Sequence, residues 1–72
     1  MRYGRRYMIT VNGKPLSIPD GEPLLSLLES RGYRIGVIAV ELNGQVLSRE
    51  SYGATLLRDG DRLEVVSFVG GG

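Results

Sequence analysis

The sequence predicts a small two-layer α+β domain, with one helix packed on one face of a mixed sheet. Three observations carry that expectation. Asn12-Gly13 and Asn43-Gly44 each separate two short apolar runs. Asn-Gly is the strongest local hairpin signal, because both turn positions favour φ > 0. Between the two hairpins, one stretch places its leucines at helical rather than alternating spacing. The final run alternates again, which gives the order β-β-α-β-β-β.

The first strand is read at Met8-Ile9-Thr10-Val11 and the second at Lys14-Pro15-Leu16-Ser17-Ile18. Ile9, Val11, Leu16 and Ile18 share the face expected to be buried. Pro15 cannot donate to a ladder and suits an edge strand. Pro19-Asp20-Gly21-Glu22 ends that strand, and a helix is expected from Pro23 to Arg31, with proline in its first turn. Leu24, Leu27 and Leu28 fall at i, i+3 and i+4 and form one apolar stripe, with Leu25 at its margin. Gly32 stands where a left-handed C-terminal cap is wanted. The third strand, Val37–Leu42, is continuously apolar at its start and is expected to be the more central one. Gln45–Ser48 is the fourth. Residues 49–55 read as a polar connection with a short helical turn, anchored by Leu56 and Leu57. Arg58-Asp59-Gly60-Asp61 is a turn; its two aspartates lack the fixed ligand spacing of a calcium loop. Arg62–Val69 is the last strand. Should it lie beside the first strand, the arrangement is the β-grasp, with domain boundaries of 1–7 for an N-terminal extension, 8–69 for the folded body and 70–72 for a glycine tail.

Composition removes several kinds of chemistry. The 72 residues contain neither cysteine nor histidine. Disulfides, a thiol nucleophile and an imidazole base are therefore excluded. There is no phosphate-binding glycine loop and no His/Cys metal cluster. No run of 18 apolar residues is present to span a membrane, and the basic start lacks the apolar core of a secretory signal. A cytoplasmic protein, monomeric when free, is the expectation. Arg2, Arg5 and Arg6 make the first seven residues basic, whereas the rest holds six basic residues against eight acidic ones. Arginines beside Tyr3 and Tyr7 are too few to indicate nucleic-acid binding and read as a solvated extension.

The end of the chain carries the functional reading. Val69-Gly70-Gly71-Gly72 is a slender segment without side chains over its last three residues. Three such residues extend roughly 10 Å, far enough to thread a narrow slot. The expected reactive group is the carboxylate of Gly72, presented to the active site of another protein. In the last strand, Leu63 and Val65 share one face, expected to meet the helix. Glu64, Val66 and Phe68 share the other, and Val66 with Phe68 is the expected docking surface beside the tail.

These features together resemble the ThiS family of sulfur carriers in thiamine biosynthesis. The matching residues are Ile9-Thr10-Val11-Asn12-Gly13, Leu27-Leu28, Val40-Glu41-Leu42-Asn43-Gly44, Arg49 with Tyr52, Asp59-Gly60-Asp61, and Phe68-Val69-Gly70-Gly71-Gly72. They span Met8 to Gly72. Pro23 departs from the pattern, standing where the family opens its helix with a capping threonine. The resemblance implies that the protein is no enzyme itself and binds no cofactor. A ThiF-like adenylyltransferase uses ATP to convert the Gly72 carboxylate into an acyl-adenylate. Sulfur from a cysteine desulfurase system then replaces AMP, and a ThiG-like thiazole synthase accepts it from the thiocarboxylate. Gly70 and Gly71 thread the partner's active site. Arg49 and Tyr52 read as a structural pair holding the connection. Three other readings share some of these residues. One is the MoaD-like small subunit of molybdopterin synthase, another a ubiquitin-like modifier, the third an interaction module with inert glycines.

Overall fold

A computed structural model describes residues 5–68. The strands β1 (Arg6–Val11) and β2 (Lys14–Pro19) form the first hairpin. The helix α1 (Leu24–Ser30) follows, then β3 (Ile38–Leu42), β4 (Gln45–Val46) and β5 (Arg62–Ser67). Asn12 and Gly13 have φ of 51° and 83°, and Asn43 and Gly44 have 53° and 85°. Both turns are thus the left-handed pair that Asn-Gly favours, matching the twist of the flanking strands. The sheet order is β2-β1-β5-β3-β4, with β5 parallel to β1 and antiparallel to β3. The last strand has inserted between the two hairpins, which is the β-grasp arrangement.

Several boundaries differ from expectation. Strand β1 begins at Arg6, where Arg6 and Tyr7 pair with Pro19 and Ile18, so both belong to the domain and not to an extension. The Arg6 guanidinium fixes this start by donating from Nε to Ser17 Oγ (3.1 Å) and from Nη2 to Ser17 O (3.0 Å). Residues 1–4 lie outside the described residues. The middle of the sheet is β5, not β3. Strand β3 is apolar because Ile38 and Val40 enter the core and Ala39 lies half-buried beside Val66, its partner in the ladder.

Helix α1 runs only from Leu24 to Ser30, and Pro23 is its N-cap residue, outside the first turn and without a side-chain cap. Its free N–H groups find partners elsewhere in the chain. Leu24 N donates to Thr55 O (2.8 Å) and Leu25 N to Tyr52 O (3.1 Å). The loop 49–57 therefore does the capping that a threonine side chain does in other helices. At the far end, Gly32 has φ of 82°. Its N–H reaches Glu29 O (3.0 Å) while Tyr33 N reaches Leu28 O (3.0 Å), the paired bonds of a Schellman cap.

Leu24, Leu27 and Leu28 press against Ile9, Val11, Ile18, Ile38, Val40, Leu63 and Val65 from the sheet, and Tyr52 and Leu57 close the cluster. Each such side chain contributes about 1.5–3 kcal/mol by burial. Leu57 alone anchors the loop; Leu56 is exposed, because its bridge to Pro23 turns it outward. The helix covers one face of the sheet and leaves the other open.

Candidate functional site

Strand β5 is built as a platform with two unlike faces. Leu63 and Val65 are buried under the helix, whereas Val66 is 57% and Phe68 65% exposed. This is the face division expected from the period of two. The ladder continues one residue past the strand, with Phe68 N donating to Val37 O at 2.7 Å. Phe68 is thus fixed by its backbone while its ring stands free. Val69, the Gly70 and Gly71 expected to thread a partner's active site, and Gly72, whose carboxylate is expected to react, lie outside the described residues.

Register extends the open face beyond the two residues expected there. Val66 pairs with Ala39, Glu64 with Glu41, and Glu41 in turn with Val46. Val46 is 68% and Met8 53% exposed, so both add apolar surface to this side of the sheet. Sequence reasoning missed Val46 and Met8. The signal was present: carrying the Asn43-Gly44 hairpin register across to β5 puts Val46 on the face of Glu64. Two carboxylates, Glu41 and Glu64, stand directly opposite each other there, an arrangement that costs stability in a bare sheet.

The platform is held by the two hairpin asparagines. Asn12 N donates to Leu63 O (2.8 Å), continuing the parallel ladder. Its backbone then turns away toward β2, and its side chain takes over. Oδ1 accepts from Val65 N (2.8 Å), and Nδ2 donates to Val65 O (3.2 Å). Asn43 does the same for the start of the strand, its Oδ1 accepting from Arg62 N (2.9 Å) and its Nδ2 donating to Asp61 Oδ1 (3.0 Å). Asp59 and Asp61 are engaged with backbone. Asp59 Oδ1 accepts from Met8 N (2.7 Å) and Asp61 Oδ2 from Arg58 N (2.8 Å). Among the described residues no group of three or more His, Cys, Asp or Glu is placed to hold a metal.

Arg49 and Tyr52 are joined through the backbone, Tyr52 N donating to Arg49 O at 3.2 Å. Tyr52 is a core residue, and the Arg49 guanidinium instead reaches Gly36 O at 3.5 Å. At the opposite end of the domain, a hydrogen bond to Asp20 holds the Tyr7 phenol above its usual pKa, with partial burial and the aspartate's charge acting in the same direction. No helix among the described residues is long and apolar enough to cross a membrane. What the described residues offer is a rigid strand and an open face with apolar side chains.

Comparison with known proteins bears on this geometry. The model of the ThiS family matches residues 7–72. The sulfur carrier protein ThiS of Bacillus subtilis is 35% identical over 66 residues, which cover 90% of this chain and all of that one. A thiazole synthase of Magnetococcus marinus is 44% identical over 64 residues, covering 89% of this chain. The chain spans only about a fifth of the length of that synthase. The crystal structure of the thiamine biosynthesis protein ThiS from Geobacter metallireducens superposes with a TM-score of 0.77 at 40% identity, covering 90% of this chain and 99% of that one.

Proposed function

This chain belongs to the ThiS family, and from that premise we propose that it is a sulfur carrier of thiamine biosynthesis, working through the carboxylate of Gly72. The supporting observation is the division of β5, with Leu63 and Val65 buried in the core and Val66 and Phe68 exposed a few residues ahead of the glycines in the sequence. A carrier must hold its chain end on a rigid base, offer a recognition face next to it, and stay clear of the chemistry. A carboxylate is a poor electrophile until one oxygen becomes a leaving group. The adenylating partner supplies ATP, forms the mixed anhydride with AMP and releases pyrophosphate. Electrostatic stabilisation of that step belongs to the partner. A hydrosulfide-level donor then attacks the carbonyl carbon, AMP departs, and a thiocarboxylate remains. The absence of cysteine leaves no side-chain thiol in the carrier to intercept the acyl group.

Thiazole synthase is the acceptor in this reading. Support comes from the proteins of that name that contain a segment similar to this chain within a fifth of their length. The match to the ThiS family favours the thiamine carrier over the molybdopterin one. The open face, with Val66, Phe68, Val46 and Met8, is the surface recognised by partners.

The test is direct. Incubation with ATP, an adenylating enzyme and a sulfur source should replace one terminal oxygen by sulfur, read by intact mass. A single alanine appended after Gly72 should abolish this without changing the thermal transition. Full activation of that extended variant sinks the proposal, and a conjugate to a second chain would indicate a modifier instead.

A further inference from the structure

The two ends of the domain differ in charge, and the difference falls where the chain continues toward the glycines. Strand β5 runs past the first hairpin turn: Asn12 bonds to Val65, and the strand continues to Ser67. Near this end Lys14 follows the hairpin turn, Arg31 and Arg34 follow the helix, and Arg49 reaches Gly36 O, with Glu29 and Glu50 as their neighbours in the chain. At the other end, Arg5, Arg6, Arg58 and Arg62 are matched by Asp20, Glu22, Asp59 and Asp61. Glu41 and Glu64 lie on the open face between the two ends and offset part of that difference, so what distinguishes the first end is the local pairing of Lys14 with Arg31 in one cleft. That cleft, of about 230 Å³, lies between the hairpin and the residues following the helix, lined by Val11, Asn12, Lys14, Leu16, Arg31 and Tyr33. Lys14, Arg31 and Tyr33 bring an ammonium, a guanidinium and a phenol to it, Val11, Pro15 and Leu16 contribute apolar surface, and no carboxylate lines it.

We infer that this cleft is a socket for a carboxylate side chain of the adenylating enzyme, taken from the surface bordering its active-site entrance. The inference rests on the sulfur-carrier reading. Four residues follow Phe68, and fully extended they span at most about 14 Å. The enzyme surface around the entrance must therefore close on this end of the domain. In closing, it desolvates Lys14 and Arg31. Cations buried without a partner are costly, so a complementary surface here is acidic. The guanidinium fork suits a carboxylate held by two hydrogen bonds, and the lysine adds a point charge beside it. Val11, Pro15 and Leu16 in the same cleft lower the polarity around the pair once the partner covers it, which strengthens the pairing.

Steady-state pyrophosphate release by the adenylating enzyme tests this, with carrier concentration varied at low and high salt. Three double variants are compared with wild type: Lys14→Glu with Arg31→Glu, Lys14→Gln with Arg31→Gln, and Arg5→Glu with Arg58→Glu as a charge-matched control at the other end. Far-UV circular dichroism and thermal melts establish that each is folded. The charge-reversed cleft should raise KM for the carrier about tenfold or more at low salt with kcat unchanged, as expected for lost electrostatic complementarity. The glutamine pair should fall between it and wild type, and the control should stay within about threefold of wild type. The difference should shrink as the Debye length drops from about 10 Å at 0.1 M to about 3 Å at 1 M salt. A wild-type KM for both cleft variants overturns the inference, as does an equal rise in the control or a defect indifferent to salt. Those outcomes leave the carrier reading standing. A wild-type chain that is never activated removes both.

Discussion

Replacing Asn12 by alanine isolates the device that holds the functional strand. The side-chain amide makes two bonds to the backbone of Val65, at 2.8 and 3.2 Å. Val65 is buried, so its N–H and C=O lose partners that water replaces poorly. Leaving such groups unsatisfied costs about 1–3 kcal/mol. The residue also sits at φ of 51°, where alanine is disfavoured by a further ~1–2 kcal/mol. Asn12→Ala should therefore cost about 2–5 kcal/mol, a large share of the roughly 5–15 kcal/mol that stabilises a native domain. In a domain of this size each kcal/mol moves Tm by about 4–8 °C, so the melt should fall by at least about 8 °C. Asn12→Gly removes the bonds but tolerates the turn, and should cost about 1–3 kcal/mol. Asn12→Asp keeps the acceptor for Val65 N–H and should be the mildest of the three. Urea denaturation gives the ordering, and hydrogen exchange at the Val65 amide gives the site. If Asn12→Gly stays within about 0.5 kcal/mol of wild type and Val65 remains protected, the amide does not hold β5 and the reasoning fails.

Three further outcomes follow from the same geometry. Glu64→Lys removes the like-charge pairing with Glu41 and should stabilise the domain by about 0.2–1 kcal/mol in urea; on the proposed recognition face it should also raise the KM of activation. Unchanged or lower stability would show that the pair is not repulsive. Phe68→Glu should leave Tm nearly unchanged, since the ring is exposed, while weakening binding to the adenylating enzyme in calorimetry; unfolding would contradict the face assignment. The raised phenol pKa of Tyr7 means that the folded state retains its proton more strongly than the unfolded chain. That contribution is fully present below the ordinary tyrosine pKa near 10 and is lost as pH rises through the higher folded value. Asp20→Asn should lower the tyrosinate titration midpoint of Tyr7 in ultraviolet absorbance, and an unmoved midpoint would refute the assigned cause.

Local sequence determined the pieces of this protein. Two Asn-Gly turns, one leucine stripe closed by Gly32, and the alternation of Leu63 and Val65 with Val66 and Phe68 were all legible, because each depends on backbone preferences or on spacing within a few residues. The resemblance carried by the Asn-Gly turns and the Phe68-Val69-Gly-Gly-Gly ending pointed to the family for the same reason: its marks lie in short, ordered segments. The tertiary structure decided what those pieces are used for. The asparagines read as turn residues also bond to β5, more than fifty positions away for Asn12. Pro23 opens a helix without a side-chain cap because carbonyls of Tyr52 and Thr55 reach its N–H groups. Tyr52 enters the core, Val46 joins the open face, and β5 takes the centre of the sheet. None of these is a local preference. Each follows from the insertion of the last strand between the two hairpins, which sets side by side groups that the chain keeps far apart.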